Sequence, residues 1–408
     1  RFMGEAQIEI GQLAHYPDLL REAGKVLPAF DERRERVRDL VEAAAAEAGG
    51  RALFDEDLLD EVTALVEWPS AIVGSFDPHF LDVPREALVA SMQGHQKYFP
   101  LEASDGRLLN RFVTIANIDS PRPEAIRAGN ERVIRPRLSD AAFFWNKDKS
   151  LALAERLPRL ADTVFERRLG TLGEKSERVS ALARALAPVF GADPAAAARA
   201  GLLSRCDLVT EMVGEFPELQ GTMGGYYAAH DGEPDAVVRA LREFYQPRFA
   251  GDEIPATPAG QVVALADKLD TLTGIFGIGS APTGDKDPYA LRRAALGSLR
   301  ICIEADAPLD LASALATAAA AHGTRISPEA AVQVFDFVLE RARGYFVDRG
   351  LRADVVESVL ATRPATPREM ARRIKAVEAF LELPEAAALA AANKRIGNLL
   401  RKATEIPD

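Results

Sequence analysis

Apolar positions recur along the first third of the chain with two different periods. Between Glu22 and Ala48, the residues Leu27, Phe30, Val37, Leu40 and Val41 return at roughly three-to-four spacing, and the stretch ends at Gly49-Gly50. That pattern predicts an amphipathic helix with glycine at its C-terminal end, and its other face, Asp31 to Arg38, is densely charged. Residues 70–76 and 111–118 are instead short apolar runs rich in β-branched and aromatic residues, set between Pro, Gly and Asp; they predict strands. Asp105-Gly106 lies between two such runs and reads as a hairpin turn.

From about residue 150 the period becomes helical and stays so. Stretches near 151–160, 179–190, 197–213, 237–245, 261–276, 288–304, 309–321 and 328–346 each predict a helix, strand signals nearly vanish, and a last helical segment follows Asp348-Arg349-Gly350. The expected fold is multidomain and mainly α. An α/β portion covers residues 1–150, an all-α domain covers 151–346, and a helical segment covers 347–408.

The chain has 408 residues, 61 of them acidic and 50 basic, for a net charge of −11. This acidity argues against nucleic-acid binding by overall charge and leaves local basic patches as the route to a polyanion. No run of 18 or more apolar residues lacks charges, so no membrane span is expected. Two cysteines, Cys206 and Cys302, make neither a disulfide framework nor a four-thiolate zinc site, and a reducing cytoplasm is the expected compartment. The chain opens Arg1-Phe2-Met3 with neither an initiator methionine nor a signal peptide, which reads as a piece of a longer protein truncated at both ends.

Three candidates for chemistry stand out. Cys206-Asp207, followed about sixty residues on by Asp267, resembles the layout of the metal phosphohydrolases named for their His-Asp pair; that chemistry needs imidazole and carboxylate to grip a divalent ion and acidify its water. Here no histidine lies between His95 and His230, and Cys206 stands where the pair's His would be, so the metal site reads as dismantled. The one true pair, His230-Asp231, reads as a turn or cap histidine or as a residual ion or phosphate contact. Gly274 to Gly279 follows a helix and reads as a helix-to-loop transition, and no phosphate-loop or dinucleotide motif is present.

The second candidate is a basic cluster, Arg127, Arg132, Arg135 and Arg137, beside Phe143-Phe144-Trp145. It reads either as phosphate-binding guanidiniums with aromatic support or as a solvated charged loop against core aromatics. The third is the C-terminal region, where Arg363, Arg368, Arg372, Arg373 and Lys375 lead towards Lys394, Arg395, Arg401 and Lys402. Local basicity in an acidic chain suits a polyanionic partner. Gly284-Asp285-Lys286-Asp287-Pro288 reads as a metal or phosphate loop or as a simple helix start.

Longer strings carry a resemblance. Met92-Gln93-Gly94-His95-Gln96-Lys97-Tyr98-Phe99, Ala116-Asn117-Ile118, residues 129–141, residues 169–175, Glu215 to Gly221, Tyr245 to Asp252, residues 266–279, Pro282 to Arg293 and Ala391 to Ile396 together resemble the beta subunit of bacterial heterotetrameric glycyl-tRNA synthetase over almost the whole chain. The resemblance implies a modular fold: a portion akin to the phenylalanyl enzyme's beta subunit, a degenerate HD-type helical domain in which Cys206, Asp207 and Asp267 mark the lost metal positions, and the approach to an anticodon-binding region.

The resemblance also implies no catalytic residue, metal or cofactor on this chain. ATP and Mg would be used by an alpha subunit that activates glycine, and the partners would be that subunit and tRNA(Gly), with no DNA and no membrane. Arg132, Arg135 and Arg137 are the first RNA-facing candidates, followed by Lys286, Arg292, Arg293, Lys394 and Arg395. The alternatives are a working HD-type phosphohydrolase and an assembly scaffold that binds no RNA.

Overall fold

The computed structural model describes Gly4 and residues 7–402; the opening Arg1-Phe2-Met3 and the side chains of Arg401 and Lys402 lie outside the described residues. The chain is mainly helical and separates into two compact units, Arg1–Leu151 with Thr210–Leu219, and Ala152–Val209 with Gln220–Asp408.

The first unit is built on an antiparallel sheet of β1 (Arg51–Ala52), β2 (Ser70–Ser75), β3 (Phe99–Glu102) and β4 (Leu108–Ala116), in the order β1-β3-β4-β2. The two expected strands are β2 and β4, paired from Ser70↔Ala116 to Ser75↔Arg111. Asp105 and Gly106, the latter at φ +83°, turn the chain between β3 and β4. Val37, Val41 and Ala45 of the Phe30–Glu47 helix and Leu58, Leu59 and Val62 of the Glu56–Leu65 helix pack with Phe99, Leu101 and Val113 to form the core. The charged face of the first of these helices turns to the second, where Arg34 pairs with Glu56 and Asp60. Near its N-terminus the predicted helix breaks: Tyr16–Glu22 is separate, and Lys25 at φ +51° with Pro28 occupies the interruption.

The Arg127–Arg137 segment is not a loop but part of one helix, Pro123–Asp148. Ile134, Leu138, Ala141 and Trp145 recur at helical spacing and are buried. Several residues of the motif strings prove to be architectural. Asn117 accepts from the amides of Glu67 and Trp68 at 2.7 and 2.9 Å, Tyr98 donates to Asn130 at 2.6 Å, and Glu131 accepts from the amide and hydroxyl of Ser75, each at 2.9 Å. Asp148 closes this helix against Glu211–Glu215 by accepting from the amides of Glu211 and Met212.

The second unit is organised around the helix Pro258–Gly277, apolar on nearly every side and buried from Ala259 to Phe276 except at a few positions. A helix hydrophobic all round has to be enclosed. Helices Leu172–Leu186, Pro194–Leu203, Asp235–Glu243, Leu291–Glu304, Leu311–Ala320 and Ala330–Val347 surround it. The ends are fixed locally: Thr257 caps the central helix at the Gly260 amide, and Thr171 with Glu174 forms a reciprocal capping box. Strand structure is not wholly absent here, since Val164–Glu166 pairs with Gly170–Thr171 in a small hairpin.

Candidate functional site

Cys206 and Asp207 lie in a tight turn, Cys206–Val209, that follows the helix Pro194–Leu203. Both side chains are buried. Burial pushes the Cys206 thiol up to about 12, which leaves a small apolar core residue and no thiolate. The Asp207 carboxylate accepts from the amides of Gly221 and Gly224, at 2.6 and 3.0 Å, at the start of the helix Thr222–His230. Burial raises its pKa to about 6, partly offset by those two amides. A Cβ on Gly224 would stand 3.0 Å from the carboxylate oxygen, so the glycine lets the anion sit against the backbone.

Asp267 is on the central helix and turns to cations. Arg205, the residue before Cys206, pairs with it, and Lys175 Nζ lies 3.0 Å away. Burial favours the neutral acid, but Arg205, Lys175 and Lys268 outweigh it and hold Asp267 at about 2. One turn further on, Asp270 accepts from Lys175 at 2.8 Å and Arg178 at 2.7 Å and meets His322 Nε2 at 3.2 Å. Burial opposes the Asp270 charge, yet Lys175, His322 and Arg178 carry its pKa far below the carboxylate range. Lys268, lowered to about 8 by burial, donates to the carbonyl of Gln246 at 2.8 Å. Asp207 thus accepts from backbone amides while Asp267 pairs with side-chain cations. The charge a divalent ion would supply to Asp267 is supplied by Arg205 and Lys175, and the thiol beside Asp207 is protonated; these donors do not fit a metal. Among the described residues no group of three or more His, Cys, Asp or Glu is arranged to hold one.

Sequence reading named Cys206, Asp207 and Asp267 and missed the groups that decide their chemistry. A signal was present in the i,i+3 pairs Lys175/Arg178 and Asp267/Asp270, which place like charges on one helix face opposite unlike charges on another. His230-Asp231 ends a helix, with Asp231 accepting from the Leu153 amide at 2.6 Å and Gly232 at φ +79°. The helix-to-loop reading of Gly274 to Gly279 holds, since the helix stops at Gly277 and Gly279 adopts φ +74°.

The arginines divide by their partners. Arg127, Arg132, Arg135 and Arg137 are exposed on the Pro123–Asp148 helix, and among the described residues none forms an ion pair. At about 100° per residue, Arg132 and Arg135 fall on the same side as the 60 % exposed Phe143, while Arg137 is rotated about 200° from Arg135. By contrast, Arg363 pairs with Asp336, Arg368 and Arg372 with Asp306, and Arg373 with Glu369, so folding supplies carboxylates to much of the second basic cluster. Lys394 and Arg395 are exposed on the last helix, Ala386–Lys402. Lys286 is exposed in the turn before the helix Leu291–Glu304; Asp287 accepts from the amides of Leu291 and Arg292 and so initiates that helix. Arg292 donates to the Gly284 carbonyl, and Arg293 to the Arg248 carbonyl at 3.2 Å.

The helical unit thus carries a buried ion-pair network where a metal site would lie, and comparison with known proteins gives the family of the chain. The profile of the family described as "Glycyl-tRNA synthetase beta subunit" matches residues 1–361, and the chain belongs to that family. It is 50 % identical over 407 residues to the glycine–tRNA ligase beta subunit of Citrobacter koseri, 51 % over 406 residues to that of Salmonella typhi, and 50 % over 404 residues to that of Haemophilus influenzae. These matches take in 99 to 100 % of the chain and 59 % of each relative, so the chain spans about three-fifths of their length. No helix among the described residues is long and apolar enough to cross a membrane.

Proposed function

We propose that the chain is the RNA-handling part of a glycine–tRNA ligase beta subunit, binding and positioning tRNA(Gly) in the cytoplasm for ATP- and Mg-dependent glycylation at an active site on an alpha subunit. In this reading it carries no aminoacylation site of its own, and its buried Cys206, Asp207 and Asp267 occupy the lost metal positions of an HD-type domain. The observation that carries the proposal is the set of exposed guanidiniums on the Pro123–Asp148 helix that form no ion pair among the described residues. Arg132 and Arg135 share a side with exposed Phe143, whereas Arg363, Arg368, Arg372 and Arg373 of the second basic cluster are engaged by carboxylates. Guanidiniums free of ion pairs form bidentate phosphate contacts, which position an RNA, and an aromatic beside them supports an unstacked base. A working phosphohydrolase is disfavoured because Asp267 is neutralised by Arg205 and Lys175.

The test is fluorescence anisotropy of labelled tRNA(Gly), titrated with the chain in the presence and absence of alpha subunit at two salt concentrations, with a non-cognate tRNA as control. Salt-sensitive binding that strengthens with alpha supports the reading. Alpha binding with no change in tRNA affinity would make the chain an assembly scaffold.

A further inference from the structure

We propose that the groove between Phe249-Ala250 and the helices Leu291–Glu304 and Ala330–Val347 takes an unpaired stretch of RNA, its phosphates held by Arg292, Arg293 and Arg349 and one base stacked on Phe249. The inference rests on the tRNA-handling reading above and adds to it a place and a strand state.

The groove has a volume of about 910 Å³ and is lined by six arginines against only two carboxylates, Glu340 and Asp348. Three of the six are spoken for: Arg300 by Glu304 at 2.7 Å, Arg341 by Glu340, and Arg343 by Glu357. The other three are not held by carboxylates. Arg292 and Arg293 each give one N–H to a backbone carbonyl, and Arg349 gives one to the Tyr345 carbonyl at 3.3 Å while its guanidinium lies 3.7 Å from the Tyr345 ring centroid. Each guanidinium has five donors, so these single carbonyl contacts leave most of their capacity unspent. In a chain of net charge −11, such a cluster draws a polyanion from solution.

Phe249 decides which polyanion. It is 57 % exposed at the rim, a large apolar face beside cations rather than in a core. Single strands are held by this pairing of a basic groove with an aromatic on which a base stacks. In an A-form duplex the bases are stacked on one another and present no free face to an aromatic ring. An acidic peptide would satisfy the arginines and leave Phe249 without a role.

The test is anisotropy of the chain with a labelled oligoribonucleotide of about twelve nucleotides, compared with the same sequence as a duplex and with ATP and polyglutamate as competitors. Single strand is expected to bind about tenfold more tightly than duplex. Phe249→Ala erases that advantage and leaves duplex affinity and the melting temperature unchanged. Arg292→Gln with Arg293→Gln lowers the log–log salt slope by about 1.4, for two single-strand phosphates. Equal affinity for the two strand states, a preference that survives Phe249→Ala, or displacement of the RNA by polyglutamate or ATP at matched charge overturns the proposal. tRNA charging with alpha subunit separates the failures. If single strand is ignored but the chain still supports charging, the groove assignment falls and the subunit reading stands; if the chain neither binds tRNA nor supports charging, both fall.

Discussion

Arg205 and Asp267, 62 residues apart in sequence, form an ion pair inside the helical unit, with the guanidinium 7 % and the carboxylate 20 % exposed. Lys175 shares the carboxylate and passes the link on to Asp270. The turn containing Cys206 is thereby tied to the central helix by charge rather than through a metal.

Removing one member of a buried pair leaves the other charge without compensation, and the cost is about 3–5 kcal/mol. Arg205→Met is expected to fall in that range by urea denaturation, softened by the Lys175 contact that remains. The double variant Arg205→Met/Asp267→Leu should recover part of the loss. A single-variant cost below about 1 kcal/mol would show that the pair does not hold the turn.

Asp207 makes stability depend on pH in the direction opposite to a salt-bridged acid. Its folded pKa of about 6 lies above the ordinary 3.8, so between those values the folded chain binds the proton more tightly than the unfolded chain does. Stability from this group is therefore full below 3.8 and is lost as pH rises to about 6. Asp207→Asn keeps an oxygen for the Gly221 and Gly224 amides and removes the charge. The melting-temperature difference, variant minus wild type, should rise across that window and level off above it; a flat difference would place the Asp207 pKa elsewhere.

Both thiols are buried and pushed up to about 12. Ellman's reagent should find neither Cys206 nor Cys302 in the native chain and both in denaturant. Rapid labelling of Cys206 before unfolding would mean that its turn opens on its own.

Charge reversal tests the geometry of the Pro123–Asp148 helix. On the proposed reading, in which Arg132 and Arg135 each hold a phosphate, Arg132→Glu with Arg135→Glu should lower the salt slope of tRNA binding by about 1.8. Arg137→Glu, on the other side, should have the smaller effect. All three residues are exposed, so stability should stay within about 0.5 kcal/mol of wild type. Equal losses from both variants would count against one RNA-facing side.

The mainly helical character of the chain and the strands β2 and β4 were legible because period and composition agreed over those stretches. The Pro123–Asp148 helix was not. Gly129, Asn130 and Pro136 are poor helix formers, and Pro136 leaves the carbonyl one turn before it without its amide partner. Only the tertiary burial of Ile134, Leu138 and Trp145 carries the helix through them. The site was legible as positions and not as partnerships. Asp270 meets Lys175 across 95 residues and His322 across 52, and no local pattern encodes such pairings. Arg368 and Arg372 show the converse, since a basic run in sequence receives a carboxylate, Asp306, from 62 and 66 residues away.

The amides of Gly221 and Gly224 have a further consequence. A helix N-terminus with glycine amides pointing outward is a ready receptor for a free phosphate or carboxylate. Here that receptor is occupied by Asp207, an anion joined to the same chain and present at an effective concentration that solutes do not match. The start of this helix therefore carries a built-in, buried anion, and its amides are satisfied without one from solution.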